Sequence, residues 1–126
     1  MEQFKLQLEK LAIAEDLESI FIATEDGELL LHIDGPAKSE YGNIQKILFG
    51  GVDEIKFSCN AIDGMILPQT YEQGNDQAVY SRVGRLFYGL FYVGKLPPES
   101  AYNKSKILSH KVEKLIGESD LLHKFK

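Results

Sequence analysis

The sequence has 126 residues, of which 44% are hydrophobic and 26% are charged, and its formal net charge is −5 at pH 7. This length and composition are typical of one globular domain with a single core and exclude a largely disordered chain. Residues 103–126 contain six lysines and three acids, so residues 1–102 carry a charge of −8, which argues against a nucleic-acid-binding surface rich in Lys and Arg.

The sequence also bears on the compartment of the protein. The charged N-terminal segment lacks the apolar stretch of a secretory signal, and no run approaches the roughly 18 apolar residues of a membrane span. The single cysteine, Cys59, cannot form an internal disulfide, which is typical of a reducing compartment. We therefore expect a cytoplasmic protein without a membrane span.

The chain begins with a predicted amphipathic helix over residues 1–16. Phe4, Leu8 and Leu11 recur at the spacing of one helical face, and good helix formers lie between them. We expect this helix to end just before the first strand.

A β-hairpin follows between residues 19 and 35. Two short apolar runs, residues 20–23 and 29–33, flank Asp26-Gly27, and Asp-Gly is the strongest short-range hairpin signal because glycine accepts a positive φ. Both runs place apolar side chains on both faces, so we expect the hairpin to be covered on both sides.

Residues 39–63 admit two interpretations. After a helix start at Ser39-Glu40, seven apolar residues share one helical face and predict a single helix of about six turns: Tyr41, Ile44, Leu48, Val52, Ile55, Cys59 and Ile62. Against it, Gly50-Gly51 costs roughly 2 kcal/mol inside a helix, and residues 55–61 alternate as a strand does. We predict the single helix because its stripe spans both halves. The alternative ends the helix at Gly50 and makes residues 55–61 a strand.

Three further strands and a final helix complete the prediction. Residues 65–72 predict an edge strand interrupted by Pro68, and residues 78–83 alternate as a second strand. Residues 86–93 are almost entirely apolar or aromatic and predict a central strand buried on both faces. A helix then begins after Pro97-Pro98 and ends at Gly117, so we expect one domain over residues 1–117 and a short tail over 118–126.

The sequence offers no specific catalytic motif, phosphate-binding loop or cofactor fingerprint, so we expect neither an enzyme nor a cofactor. His32 and Asp34 share a strand face but have no third ligand nearby in sequence, which favours a polar strand end over a metal site. Cys59 lies on the apolar stripe and is expected to be buried and inert.

One surface has positive functional content. In the single-helix interpretation, Phe57 points away from the core, although a polar residue is expected at such a position. We therefore predict a partner or dimer interface formed by Lys46, Phe49, Gly50, Asp53 and Phe57. In the alternative interpretation, Phe57 is an inward-pointing strand residue.

The order of elements, α-β-β-α-β-β-β-α, and three segments resemble the Roadblock family, named after dynein light chains. The segments are the hairpin FIATEDGELLLHI and the pair AVYSRVG and RLFYGLFYVG before the last helix. Bacterial and archaeal members of this family include regulators of gliding-motility GTPases.

The resemblance implies an α+β fold, an α/β/α sandwich with a five-stranded antiparallel sheet similar to that of profilin. It also implies a non-enzymatic homodimer, formed through the middle helix and an edge strand, that regulates or scaffolds a small Ras-like GTPase or a motility or polarity complex. Gly50-Gly51 and Pro68 depart from the family's continuous helix and continuous edge strand. An alternative function is a profilin-like sensor that binds a small molecule between sheet and helix, with His32, Tyr88 and Tyr92 as its polar contacts.

Overall fold

One antiparallel sheet of five strands separates two layers of helices in the computed structural model, which describes residues 1–39 and 42–125. The elements in chain order are α1 (Glu2–Ala14), β1 (Ser19–Thr24), β2 (Leu29–Asp34), α2 (Asn43–Phe49), α3 (Val52–Ala61), β3 (Gln69–Gln73), β4 (Asp76–Val83), β5 (Leu86–Val93), α4 (Pro98–Glu118) and α5 (Leu121–Lys124). The strands pair in the order β2-β1-β5-β4-β3, all antiparallel. The predicted α+β class and five-stranded antiparallel sheet are confirmed.

A hydrophobic core lies on each face of the sheet, and β5 contributes side chains to both cores. Its side chains alternate, so Phe87 and Phe91 pack under α2 and α3, whereas Tyr88, Leu90 and Tyr92 pack under α1 and α4. Seven of the eight residues of β5 are buried. The prediction of a central strand covered on both faces is therefore confirmed.

The hairpin matches its prediction in β1 and differs from it in β2. Every residue of β1 is buried, because the strand lies inside the sheet and its side chains contribute to the cores on both faces. β2 forms an edge of the sheet, and Leu29 is 44% exposed. The expectation that both faces of β2 are covered is wrong, since the helical layers do not extend fully over this edge.

The predicted single middle helix is wrong, because the chain forms two helices, α2 and α3, with Gly50 and Gly51 between them. Gly51 has extended backbone angles, φ −179° and ψ −176°, which end the helical path. Residues 55–61 are helical, so their interpretation as a strand is also wrong. The predicted helix start at Ser39-Glu40 and the stripe residue Tyr41 involve residues 40 and 41, which lie outside the described residues.

Two boundaries near the end of the chain also differ from their predictions. β3 begins at Gln69, directly after Pro68, so the proline precedes the edge strand and does not interrupt it. α4 continues through Gly117 to Glu118, and Leu121 of α5 is buried in the core under α1 and α4. The segment expected as a tail thus contributes a side chain to the core.

Candidate interaction surface

Phe57 lies on the outer side of α3 and is 77% exposed. The opposite side of the same helix carries Ile55 and Cys59, which are buried against the sheet. A phenyl ring on the outer side of an amphipathic helix is unusual because that side is normally polar. The outward orientation predicted for Phe57 is therefore found.

Three of the other predicted surface residues, Lys46, Gly50 and Asp53, are exposed as well. Asp53 precedes Phe57 by one helical turn on α3, and Gly50 lies next to the carbonyl of Lys46 at the end of α2. We call the outer side of α2 and α3 the α2–α3 surface, defined by Lys46, Gly50, Asp53 and Phe57.

Phe49 is the exception among the five predicted residues, because it is 5% exposed and belongs to the core. Its ring stacks on Phe21 with centroids 5.0 Å apart and on Phe87 with centroids 4.8 Å apart. It also lies over Gly89, where a Cβ atom would come within 2.5 Å of the ring. Phe49 is therefore excluded from the exposed surface, and a glycine inside an otherwise apolar strand was the sequence signal of this close approach.

Sequence reasoning missed several exposed apolar residues of α2, α3 and the loop that follows α3. Val52 is 57% exposed although it was assigned to the buried stripe, and Ile47 on α2 is also exposed. Val52 is the first residue of α3, directly after the break at Gly50-Gly51, whereas the stripe residues Ile55 and Cys59 further along α3 are buried as predicted. Met65 and Ile66 are exposed in the loop that follows α3.

Two exposed cations and two exposed anions on α2 and α3 balance each other. Lys46 and Lys56 are exposed cations of α2 and α3, and Asp53 and Glu54 are exposed anions of α3. A balanced set of charges around an apolar centre is typical of a surface that meets another protein, because neither sign is left in excess when the surface is covered.

A cluster of ion pairs joins the two hairpin turns at one end of the sheet. Glu25 accepts hydrogen bonds from Arg82 at 2.7 Å and from Arg85 at 2.8 Å, and Arg85 also pairs with Asp26 at 3.0 Å. The hydrogen bond from Arg85 is the main reason why the pKa of Glu25 lies below its usual value. Since each of these charges has a partner within the cluster, its role is to hold the turns together.

His32 and Asp34 form a surface pair with Nε2 and Oδ1 3.1 Å apart, and the imidazole stacks on Phe21 at 4.2 Å. Within residues 1–39 and 42–125, no group of three or more His, Cys, Asp or Glu side chains could hold a metal ion. Cys59 is fully buried, and burial raises the pKa of its thiol, which disfavours the reactive thiolate.

The three polar contacts suggested for a ligand sensor do not converge. Tyr88 is buried under α4, where its hydroxyl lies 2.8 Å from Ser109 Oγ and donates to Glu113 at 2.5 Å. Tyr92 shares that face and lies beneath Lys104, whose Nζ is 4.1 Å from the ring centroid. His32 stacks on Phe21 on the opposite face of the sheet. A small cavity beside Tyr92 has a volume of about 10 Å³, room for one water molecule.

Comparisons with known proteins give matches among solved structures. No protein-family model matches the sequence, and no curated protein matches it. The chain is similar to the structure of Myxococcus xanthus MglB, with 14% identity and a TM-score of 0.55, over 93% of this chain and 97% of that one. It is also similar to the gliding protein MglB of Thermus thermophilus, with 10% identity and a TM-score of 0.56, over 93% and 91% of the two chains.

These matches cover both helical layers and the sheet. Among the described residues, no helix is both long and apolar enough to cross a membrane. The Roadblock-like architecture expected from the order of elements is confirmed at the level of the fold, which is the fold of the gliding protein MglB.

Proposed function

We propose that this chain is a non-enzymatic, homodimeric interaction module of the cytoplasm that regulates or scaffolds a small Ras-like GTPase or a motility or polarity complex. The observation that carries the proposal is the 77% exposure of Phe57 on the α2–α3 surface. Its fold, shared with a gliding protein, supports the same proposal.

A second copy of the chain is the first occupant that we propose for the α2–α3 surface. Covering one phenyl ring contributes about 1.5–3 kcal/mol, and a two-fold dimer covers Phe57 of both copies. Val52 and Ile47 are further exposed apolar residues of α3 and α2. Charges at Lys46 and Asp53 would fix the relative orientation of the two copies.

The edge strand β3 is the second contact that we propose for the dimer. β3 pairs with β4 on one side only and forms one edge of the sheet. Because Pro68 precedes β3, all five residues of β3 pair in register with β4, and the strand can present its other side to a second copy. The proline that departs from the family's pattern therefore does not oppose pairing across the dimer.

Regulation of a GTPase would not require a catalytic residue in this chain. Hydrolysis of GTP depends on the positioning of groups around the γ-phosphate, and a bound partner can order the GTPase's own residues. A rigid module with a partner surface is sufficient for this role.

The dimer is tested by sedimentation equilibrium of Phe57→Ala, with Ile13→Ala as the matched control. Ile13 is 70% exposed on α1, in the other helical layer. We expect Phe57→Ala to raise the dissociation constant by at least about tenfold, since each 1.4 kcal/mol is tenfold, and Ile13→Ala to leave it unchanged. An unchanged constant in Phe57→Ala would place the interface elsewhere.

The GTPase is tested separately by titrating the chain with a small Ras-like GTPase, loaded with GDP or with a non-hydrolysable GTP analogue. A regulator is expected to prefer one nucleotide state by about tenfold or more, because the two states expose different switch conformations. Equal binding of both states, or no binding, would remove the GTPase from the proposal and leave the dimer standing.

A further inference from the structure

An open groove runs between α1 and α4, in the helical layer opposite to the α2–α3 surface. Its volume is about 400 Å³. Leu11 and Ala14 of α1 and Leu115 of α4 form its apolar floor, and Lys10, Lys111 and Lys114 stand on its two sides. The groove is thus apolar at its base and cationic along both edges.

The groove continues toward the start of α1. A second hollow of about 190 Å³ lies between the first residues of α1 and the segment that leads into α5, and Gln7 and Glu118 line both spaces. The combined trough follows α1, whose 13 residues span about 20 Å. A helix of three to four turns would fit along this length.

The cationic edges contrast with the rest of the body, since residues 1–102 carry a charge of −8. Lys111 is engaged by Glu15, with Nζ and Oε1 2.6 Å apart. Within the part of the chain that the structure describes, Lys10 and Lys114 take part in no ion pair. Among the described residues, Glu118 is the one acid that lines the groove, and the second hollow is lined by Glu118 and Asp120 together with Lys124. These two lysines on opposite sides can therefore receive anionic groups.

We propose that this groove binds an acidic amphipathic helix of a second protein. Apolar residues of that helix would pack on Leu11 and Leu115, and its Asp or Glu side chains would pair with Lys10 and Lys114 on the two sides. An apolar strip with lysines on both sides matches the surface of an amphipathic helix, whose apolar face is flanked by charged residues. The site is independent of the α2–α3 surface, so a dimer could bind one such helix on each copy.

The probe for this site is a synthetic peptide of about 14 residues with leucines at positions i, i+3 and i+7 and glutamates on both flanks. A control peptide of the same length carries lysines in place of the glutamates. Binding of each fluorescently labelled peptide to the full chain is measured by anisotropy. The double variant Lys10→Glu/Lys114→Glu is compared with Lys5→Glu, which changes an exposed lysine of α1 outside the groove.

We expect the acidic peptide to bind the wild-type chain and to lose at least about tenfold in affinity in the double variant. Lys5→Glu should leave binding unchanged, and the lysine peptide should bind at least about tenfold more weakly. Circular dichroism and light scattering check that every variant is folded and keeps its mass, so a failure here is distinct from a failure of the dimer.

Four results would overturn the proposal. One is the absence of binding of the acidic peptide to the folded wild-type chain. Another is equal affinity of the acidic peptide for the wild-type chain and for the double variant. Equal affinity of the acidic and the lysine peptide for the wild-type chain would overturn it as well. The fourth is a double variant that still binds the acidic peptide but no longer binds phosphatidylserine vesicles, which would assign the lysines to a membrane surface instead.

Discussion

Phe49 and Phe57 are two phenylalanines on adjacent helices that the structure places in opposite environments, and the contrast makes a quantitative prediction. Phe49 is 5% exposed and stacks on Phe21 and Phe87, whereas Phe57 is 77% exposed. Phe49→Ala removes a ring from a filled core and is expected to cost about 3–5 kcal/mol of unfolding free energy. That is a large part of the roughly 5–15 kcal/mol of a typical domain. Phe57→Ala is expected to change the intrinsic stability by less than about 0.5 kcal/mol.

The assay is urea unfolding followed by far-ultraviolet circular dichroism, at several protein concentrations and extrapolated to dilution, because association adds to apparent stability. The slope with urea should be the same for both variants, so that midpoints report stability. A loss below about 1 kcal/mol in Phe49→Ala would contradict its place in the core. A loss above about 2 kcal/mol in Phe57→Ala at infinite dilution would contradict its exposure.

Two further predictions concern the junction of α2 and α3 and the buried hydroxyl of Tyr88. Gly50→Ala should destabilise the fold by about 1–3 kcal/mol because its Cβ would overlap the carbonyl oxygen of Lys46, whereas Gly51→Ala should be nearly neutral because its Cβ meets only a flexible carboxylate. Thermal melts of the two variants check this, and equal melting temperatures would contradict it. Burial, with the hydrogen bond to Glu113, raises the pKa of Tyr88, so the folded state holds this proton more tightly and stability should fall as pH rises above about 10. Urea midpoints between pH 8 and 11 should fall less steeply in Tyr88→Phe, and parallel curves would contradict the assignment.

The sheet could be predicted from the sequence because its signals are local. Asp26-Gly27 marks the first turn, and the uninterrupted apolar run of β5 marks the strand that both layers cover. The order of the helices and strands along the chain then allows only a few strand orders for a five-stranded antiparallel sheet. The burial of β2 could not be read in the same way, because Leu29 to Leu31 are apolar but lie in an edge strand.

The candidate surface was predictable only in part, because its geometry depends on a break in the middle helix. A stripe computed for a continuous helix places Phe57 outward correctly but places Val52 inward and Phe49 at the flank. Beyond the break, the stripe still places Ile55, Cys59 and Ile62 correctly, because all three are buried, but Val52 is the first residue of α3 and remains exposed. The position of Phe49 depends on the space above Gly89, which is a tertiary contact.

The groove between α1 and α4 could not be predicted from the sequence, because it depends on how two helices distant in sequence pack together. Lys10 and Lys114 are separated by more than 100 residues, and they flank one groove only because α1 and α4 pack side by side on the same face of the sheet. The basic character of residues 103–126 and the helix at the start of the chain were both visible in the sequence, but the packing of α1 beside α4 was not.

The most direct test of the central claim is the mass of the wild-type chain by light scattering coupled to size exclusion. A homodimer formed through the α2–α3 surface predicts about 28 kDa, twice the chain mass of 14.2 kDa, at high micromolar concentration. Phe57→Ala should shift the peak toward the mass of a single chain at the same concentration. A wild-type mass of 14.2 kDa throughout the peak would contradict the proposed homodimer.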